Sequence, residues 1–278
     1  MPPKRSDLEQ AVRYVQHARE FPEREAGGPN ATVNPLVGGS ERRLPSQSCG
    51  IYPHHGLKVT EEFDAMITVH HLGVSQSERV VWLCEELAIP YTLQRYDRDP
   101  ATRLAPADYK ALHPMGIAPV ITDGSLVLAE SGAIIEYLIE KYGNGRLAVG
   151  ADRTNFADYL FWFHFANGTM MPSEMGSIIA SVLGLKEGNP VMAMLQDRSD
   201  RAFSLVERRL GDVAYFAGSE FTAADIMMLF PLSPTRAFAQ RDLSPLPHIR
   251  AYLKRIGERP AYRRAIKKGD PQLSPMFD

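Results

Sequence analysis

The sequence has few of the features that mark secreted, membrane-spanning or nucleic-acid-binding proteins. It contains only two cysteines, Cys49 and Cys84, so no disulfide framework is expected and a reducing cytoplasm is the predicted location. The longest apolar runs, such as 160–166 and 226–230, are too short to span a bilayer, and no apolar signal segment follows Met1. A net charge of -2, made of mixed signs, creates no field that would attract nucleic acid or an anionic membrane.

Nucleotide and metal signatures are also missing. No Walker or dinucleotide glycine fingerprint occurs, and the spacing of His70, His71 and His164 does not match a metal-ligand set, so no metal is predicted. What remains is an ordinary globular composition, with 44% hydrophobic and 23% charged residues among 278. A chain of this size buries a substantial core and is expected to form two domains.

The first 65 residues differ in composition from the rest. They combine charge clusters, several prolines and glycine pairs such as Gly27-Gly28, and they are expected to be largely disordered. Met66 is followed at once by Ile67-Thr68-Val69-His70-His71, which is typical of a β-strand. Our hypothesis is that residues 1–65 are either a dispensable tail or not translated, with Met66 as the start.

Hydrophobic patterning from residue 66 onward predicts two kinds of layer. The first part is expected to contain strand 66–71, helix 76–88, strand 91–96, a short helix near 107–112, strands 119–122 and 125–128, and helix 131–142. The order βαβ then ββα is that of a thioredoxin-like layer. A purely helical pattern follows, at about 152–183, 190–210, 222–230, 246–257 and 260–268. The predicted fold class is therefore α+β, with a thioredoxin-like domain at 66–145 and an all-helical domain at 152–278.

A capping box is predicted at the start of the helix near 222–230. Thr222 stands at the N-cap and Asp225 three residues later, so each side chain can satisfy a backbone N–H of the other residue. Such a cap contributes about 1 kcal/mol to stability. We expect this segment to be scaffold.

The run from His113 to Ser131 points to a site for a small peptide-like ligand. Pro119 opens a strand and lacks an N–H, and a cis peptide bond before it would turn neighbouring backbone groups outward. Glu130 and Ser131 then place a carboxylate and a hydroxyl at a helix N-terminus, which suits the ammonium and carboxylate of an amino acid. The alternative is that Ser131 only caps its helix and Glu130 only stabilises the helix dipole.

These residues resemble the glutathione transferase family, whose thioredoxin-like half carries a cis-proline after an Asn/His-Pro-x-Gly-x-Val/Ala-Pro segment and a Glu/Asp-Ser pair. The resemblance covers about Met66 to the C-terminus. It implies that glutathione is the co-substrate. The residues it assigns to glutathione are His113, Ala118, Pro119, Glu130 and Ser131. Ile117 stands where many members have a lysine near the glycyl carboxylate, and His113 is a candidate to replace that contact.

Ser75 is the predicted catalytic residue. A hydroxyl at a helix N-terminus can donate a hydrogen bond to a thiolate, and the helix end adds partial positive charge. The run Ser75-Gln76-Ser77-Glu78-Arg79 also resembles the serine-type transferases, and the pattern Trp-x-His-x-Ala-Asn-Gly-x-x-Met-Pro at 162–172 resembles a bacterial branch of the family. Ser77 is the alternative hydroxyl, and Ser75 with Glu78 could instead form only a capping box. Neither choice excludes a contribution from Arg79, although an arginine in this position is more often a solvated or ion-paired helix residue.

The second substrate is expected in a pocket beside the first long helix of the helical domain. Phe163, His164 and Asn167 are the candidates to face an apolar electrophile, and Pro172 is expected to kink the helix there. Cys84 is expected to be a buried, inert thiol. The resemblance therefore implies a homodimeric, cytoplasmic transferase that acts on hydrophobic electrophiles, as in detoxification. The alternative is a catalytically silent module of the same fold that binds a ligand or a protein.

Overall fold

The computed structural model describes residues 67–185, 188–233 and 241–273, with Ser181 and Val182 described by their backbone only. The expectations for residues 1–65 and for a start at Met66 lie outside the described residues. All described residues belong to one compact unit. None of the described helices combines the length and the apolar character that crossing a bilayer requires.

A four-stranded mixed sheet forms the first layer, with strand order β2-β1-β3-β4. Strand β1 pairs in parallel with β2, whereas the pairs β1–β3 and β3–β4 are antiparallel. Helices α1 and α3 pack on this sheet. The elements are β1 Ile67–Leu72, α1 Glu78–Leu87, β2 Tyr91–Tyr96, α2 Ala107–Lys110, β3 Val120–Asp123, β4 Leu126–Ala129 and α3 Ser131–Lys141.

Local chemistry explains where several of these elements end. Ala88 adopts a left-handed conformation with φ of 55° after α1, and the next amide, that of Ile89, bonds back to the Cys84 carbonyl. Gly124, with φ of 57°, lies in the two-residue turn that joins β3 to β4. The predicted thioredoxin-like order is confirmed. The domain boundaries at 145 and 152 stay a prediction.

The second layer is entirely helical in its described part. Three of its helices begin with a proline, which suits the first helical position because the missing N–H would have no partner there. The helices are α4 Phe156–Phe165, a π-helical turn Ala166–Met170, α5 Met171–Val182, α6 Pro190–Asp212, α7 Ala223–Leu232, α8 Pro247–Gly257 and α9 Pro260–Gly269.

The helix expected at 152–183 is interrupted by the π-helical turn. The Met171 amide bonds to the Ala166 carbonyl, five residues back, which widens the backbone at this point. Pro172 follows directly and has no N–H to donate, so the regular hydrogen-bond ladder is already broken there. The structure thus shows a π turn directly before Pro172, and the kink predicted there stays a prediction.

One hydrophobic cluster joins the sheet to the helical layer. Trp82 of α1 is fully buried, and its ring lies 5.4 Å from that of Phe221 and 5.0 Å from that of Tyr262. Glu86, also on α1, receives two hydrogen bonds from the Arg259 guanidinium, at 2.7 and 2.8 Å. Helix α1 is thus the element of the first layer against which the last described helix, α9, packs.

Candidate functional site

The sheet register brings the predicted binding residues to one edge. His70 of β1 lies opposite Val120 of β3, and Val120 lies opposite Ala129 of β4. Pro119 and Glu130, one residue beyond these pairs, therefore lie at the edge where β1 ends. The turn that carries Ser75 leaves the sheet from the same edge, because it follows Leu72 directly.

The Ala118–Pro119 peptide bond is cis, as predicted. Pro119 is buried and Ala118 is half-buried. His113, in the preceding segment, accepts a hydrogen bond through Nδ1 from the Met115 amide at 3.3 Å, and its carbonyl accepts from the Gly116 amide at 2.8 Å. His113 therefore builds the turn before the strand, while Ile117 beyond it is 51% exposed.

Ser131 does not use its hydroxyl to cap its own helix. Its Oγ accepts from Arg79 Nη1 and from Asn167 Nδ2, each at 3.0 Å, and the residue is only 1% exposed. Glu130 occupies the N-cap position with φ of 70°, a conformation that non-glycine residues seldom adopt, and its side chain is exposed. The first amides of α3 have no carbonyl partner within the helix, so this end offers both donors and a carboxylate.

Arg79 is not the solvated helix residue that the sequence favoured. The side chain is 1% exposed, and its Nη1 also donates to Gln76 Oε1 and, at 2.9 Å, to Asn167 Oδ1. Its Nη2 donates to the Met227 carbonyl at 2.6 Å. Burial lowers the pKa of Arg79 to about 9, so the guanidinium remains charged at neutral pH.

This arginine connects the segment after Ser75 with Ser131 and with the helical layer. A buried arginine with several acceptors is a common way to fix oxygen atoms in place, because the planar guanidinium donates in set directions. Sequence reasoning missed this role. The only local signal was the position of Arg79 directly before the apolar pair Val80-Val81.

Ser75 lies in the turn between β1 and α1 and is 5% exposed. Its Oγ donates to the Leu72 carbonyl at 2.7 Å, lies 2.7 Å from Ser77 Oγ, and accepts from the Ser77 amide at 3.2 Å. The Glu78 amide instead bonds to the Ser75 carbonyl at 3.1 Å. The Ser75 hydroxyl therefore does not make the hydrogen bond that a Ser75–Glu78 capping box requires.

Ser77 is fully buried beneath Ser75 and belongs to a longer chain of polar contacts. Its Oγ lies 2.9 Å from His71 Nδ1 and accepts from the Leu72 amide at 3.2 Å. His71 Nε2 in turn lies 3.2 Å from Asp270 Oδ2. Neither His71 nor Asp270 was identified as a functional residue from the sequence, since nearly 200 positions separate them.

The three residues expected to face the electrophile occupy different environments. Phe163 is 2% exposed, and its ring packs closely over Gly132 near the start of α3. His164 is exposed, and Asn167 is half-buried in the π turn, where it contacts Arg79 and Ser131. That these residues line a pocket stays a prediction. Because Phe163 is buried, it would lie beneath the surface of such a pocket.

Neither a cysteine nucleophile nor a metal site is supported by the residues that the structure describes. Cys84 is fully buried, and burial together with the nearby Glu85 carboxylate raises the pKa of its thiol to about 12, so it is not a nucleophile at neutral pH. Within the ranges that the structure describes, no group of three or more histidine, cysteine or acidic side chains is placed to hold a metal ion.

The fold and the edge residues define a class: a thioredoxin-like domain with an attached helical domain and a serine at the start of its first helix. Comparison with known proteins gives the family. Residues 75–141 match the model of the glutathione S-transferase N-terminal domain, and residues 189–255 match that of the C-terminal domain. The chain belongs to the glutathione S-transferase family.

Similar proteins come from fungi and bacteria. Glutathione S-transferase 3 of Schizosaccharomyces pombe is 32% identical over 232 residues, which cover 76% of this chain and 91% of that protein. Glutathione S-transferase GstB of Escherichia coli is 29% identical over 195 residues, covering 68% and 91%. The crystal structure of a glutathione S-transferase from Actinobacillus pleuropneumoniae has a TM-score of 0.68 at 30% identity, covering 76% of this chain and 99% of that one.

A further solved structure carries a ligand. The theta class glutathione S-transferase from Xanthomonas axonopodis pv. citri, solved with glutathione bound, is 26% identical to this chain, with a TM-score of 0.56. The alignment covers 73% of this chain and 97% of that one.

Proposed function

We propose that this protein is a glutathione S-transferase in which the Ser75 hydroxyl stabilises the glutathione thiolate for attack on a hydrophobic electrophile. The observation that carries the proposal is the position of Ser75 in the turn before α1, at the sheet edge shared with Pro119 and Glu130. The Ser75 hydroxyl has one hydrogen, which is directed to groups of its own turn, and the proposed role requires that this hydrogen turn to the bound sulfur.

The remaining edge residues match the ends of the tripeptide. The exposed Glu130 carboxylate suits the ammonium of the γ-glutamyl group, and Ser131 with the N-terminal amides of α3 suits its carboxylate. We assign the backbone of Ala118, before the cis proline, to the cysteinyl part. His113 is the candidate for the glycyl carboxylate, since Ile117 cannot bind an anion through its side chain.

The chemistry required of Ser75 is modest in energy. A free thiol with a pKa near 8.5 is only a few per cent ionised at pH 7. Lowering that pKa by about two units is worth about 2.7 kcal/mol and ionises most of the bound thiol. One charge-assisted hydrogen bond from a hydroxyl and the partial positive charge of a helix end each supply an amount of this order.

For the second substrate, we propose an apolar electrophile that approaches from the helical layer. His164 is exposed, Asn167 is half-buried and donates to Ser131 Oγ at 3.0 Å, and Phe163 lies in the core. Holding both reactants in one cleft adds the second source of rate, because it makes the attack effectively unimolecular.

We also propose a homodimer in the cytoplasm, with a role in detoxification. Several large apolar side chains are exposed on the described surface, which favours a protein interface. They lie before and within the β3–β4 hairpin (Met115, Ile117, Leu126 and Val127) and on helices α4 and α5 (Leu160, Phe161, Met175 and Ile179). Sedimentation equilibrium tests this proposal, and a monomer at micromolar concentration would contradict it.

The test of the catalytic proposal compares wild type with Ser75→Ala and Ser77→Ala. Calorimetry measures glutathione affinity, and conjugation of a generic aryl halide measures kcat/KM as a function of pH. We expect Ser75→Ala to retain binding, to raise the apparent pKa of the bound thiol by about two units and to lower kcat/KM at pH 7 roughly 20- to 100-fold.

Ser244→Ala is the matched control, because it removes an exposed hydroxyl from the helical layer. A Ser75→Ala enzyme with unchanged kcat/KM would refute the role of Ser75, and a larger loss in Ser77→Ala would transfer that role to Ser77. Glutathione binding without turnover in wild type would contradict the enzymatic function.

A further inference from the structure

The Ser75 turn is anchored by a carboxylate from the far end of the chain. Asp270 follows directly after α9 and is 1% exposed. Its Oδ1 accepts a hydrogen bond from the Val74 amide at 3.0 Å, and its Oδ2 lies 3.2 Å from His71 Nε2. One side chain thus contacts the last residues of β1 and the residue that directly precedes Ser75.

The contact with Val74 falls where the backbone needs support. Val74 has φ of 52°, in the left-handed region that β-branched residues rarely adopt. A conformation of this kind costs roughly 1–3 kcal/mol and persists only where surrounding contacts hold it. The hydrogen bond to Asp270 is one such contact, and Arg98 supplies two more through bonds from Nε to the Gly73 carbonyl at 2.8 Å and from Nη2 to the Val74 carbonyl at 3.2 Å.

The contact between Asp270 and His71 is linked to Ser75 through Ser77. A carboxylate only accepts hydrogen bonds, so His71 must donate to it through Nε2. This fixes the orientation of the ring and places Nδ1 2.9 Å from Ser77 Oγ. Ser77 Oγ is in turn 2.7 Å from Ser75 Oγ. The chain of contacts from Asp270 to Ser75 therefore consists of buried polar groups, each held by the next.

Contacts of the neighbouring Gly269 hold the backbone beside Asp270 against the sheet. Gly269 lies so close to the His71 ring that an added Cβ atom would be 3.0 Å from Nε2. The Gly269 carbonyl accepts from Arg95 Nε of β2 at 2.8 Å. The end of α9 is thus fixed on the sheet, and a Cβ atom at position 269 would push the histidine ring by a few tenths of an ångström.

We propose that Asp270 is a positioning residue for the thiolate-stabilising hydroxyl of Ser75. It acts through the Val74 amide and through His71 and Ser77, so the last described helix of the helical domain sets the geometry of the catalytic turn in the thioredoxin-like domain. This inference rests on the proposed function of Ser75. It predicts that the pKa of the bound glutathione thiol depends on a residue that does not touch glutathione.

The experiment measures the pKa of the bound thiol in Asp270→Ala and Asp270→Asn, each made in wild type and in Ser75→Ala. The readouts are the pH dependence of kcat/KM and the ultraviolet absorbance of the bound thiolate, with glutathione affinity from calorimetry. We expect Asp270→Ala to raise the thiol pKa toward its free value and to lower kcat/KM at pH 7 roughly tenfold. Asp270→Asn retains one oxygen acceptor and should give a smaller change in the same direction.

In the Ser75→Ala background, neither substitution should change the thiol pKa further, because the hydroxyl through which Asp270 acts is gone. Asp242→Ala is the control, since it removes an exposed carboxylate from the same layer. Gly269→Ala keeps the carboxylate but displaces His71, and it should raise the thiol pKa even if Asp270→Ala does not fold.

The outcomes separate the two proposals. A Ser75→Ala enzyme with an unchanged thiol pKa would refute the proposed function itself. If Ser75→Ala raises the pKa while Asp270→Asn and Gly269→Ala leave it unchanged, only the positioning role is overturned. Equal losses of kcat/KM from Asp270→Ala with and without Ser75 would also overturn it, because they would indicate a general structural effect.

Discussion

The capping carboxylate of helix α7 should make the protein less stable as the pH rises toward neutral. Asp225 is fully buried and accepts hydrogen bonds from the amides of Phe216, at 3.0 Å, and Thr222, at 2.9 Å. The hydroxyl of Tyr252 also donates a hydrogen bond to Asp225 Oδ1, at 3.2 Å. These bonds favour the ionised form, but burial outweighs them and raises the pKa of Asp225 from 3.8 to about 6.

The size of the effect follows from linkage. A carboxyl whose pKa is raised in the folded state binds its proton more tightly there than in the unfolded chain. The stability that this provides is complete below pH 3.8 and is lost as the pH rises through 6. Each tenfold difference in proton affinity is worth about 1.4 kcal/mol, so the loss between pH 4.5 and pH 7 is about 2 kcal/mol.

The perturbation that isolates this term is Asp225→Asn, because the amide has a similar shape and does not titrate. Urea unfolding at fixed protein concentration, from pH 4.5 to pH 7, gives the free energy of unfolding of both proteins. Subtracting one from the other cancels the remaining titrating groups. We expect the stability of wild type relative to the variant to fall by about 2 kcal/mol across this range. A difference that is constant, or that rises with pH, would refute the reasoning.

Three further predictions concern the site and its supports. Cys84 should resist thiol reagents in the folded protein and react only after unfolding, as measured by mass spectrometry in a Cys49→Ser background; rapid native labelling would contradict its burial. Arg79→Lys should lower the free energy of unfolding in urea by at least about 2 kcal/mol, because one ammonium cannot reach all the acceptors of the guanidinium; an unchanged midpoint would argue against the network. Glu130→Gln should weaken glutathione binding roughly tenfold in calorimetry through loss of the charge that faces the ammonium, and equal affinity would show that this carboxylate does not bind the ligand.

The elements that could be predicted from the sequence are those specified by local chemistry. Strand β2 was expected at 91–96 and spans Tyr91–Tyr96. The capping box at Thr222 and Asp225 forms as expected, because its partners are three residues apart. The π turn at Ala166–Met170 was not predicted. Pro172 shows where the hydrogen-bond ladder fails, but whether the helix kinks or widens depends on what packs against it.

The candidate site divides in the same way. Pro119, Glu130 and Ser131 were identified because a short stretch of chain carries their chemistry, and the antiparallel register of β3 and β4 places Pro119 and Glu130 at one edge. Arg79 was not identified as a buried residue, because an arginine in the first turn of a helix is usually solvated. Apart from Gln76, its acceptors lie 52, 88 and 148 residues away, so no local pattern indicates them.

The amino-acid sequence by itself determined which segments are strands and helices. It also determined the two-layer α+β arrangement and the types of residue that are proposed to bind glutathione. These properties follow from the periodicity of apolar side chains, from turn chemistry and from capping, all of which act over a few residues. Only the tertiary structure decided that Ser131 is held by a buried guanidinium and that Asp270 reaches the turn before Ser75. Those contacts form when the two layers pack, because burial then forces distant polar groups to find one another.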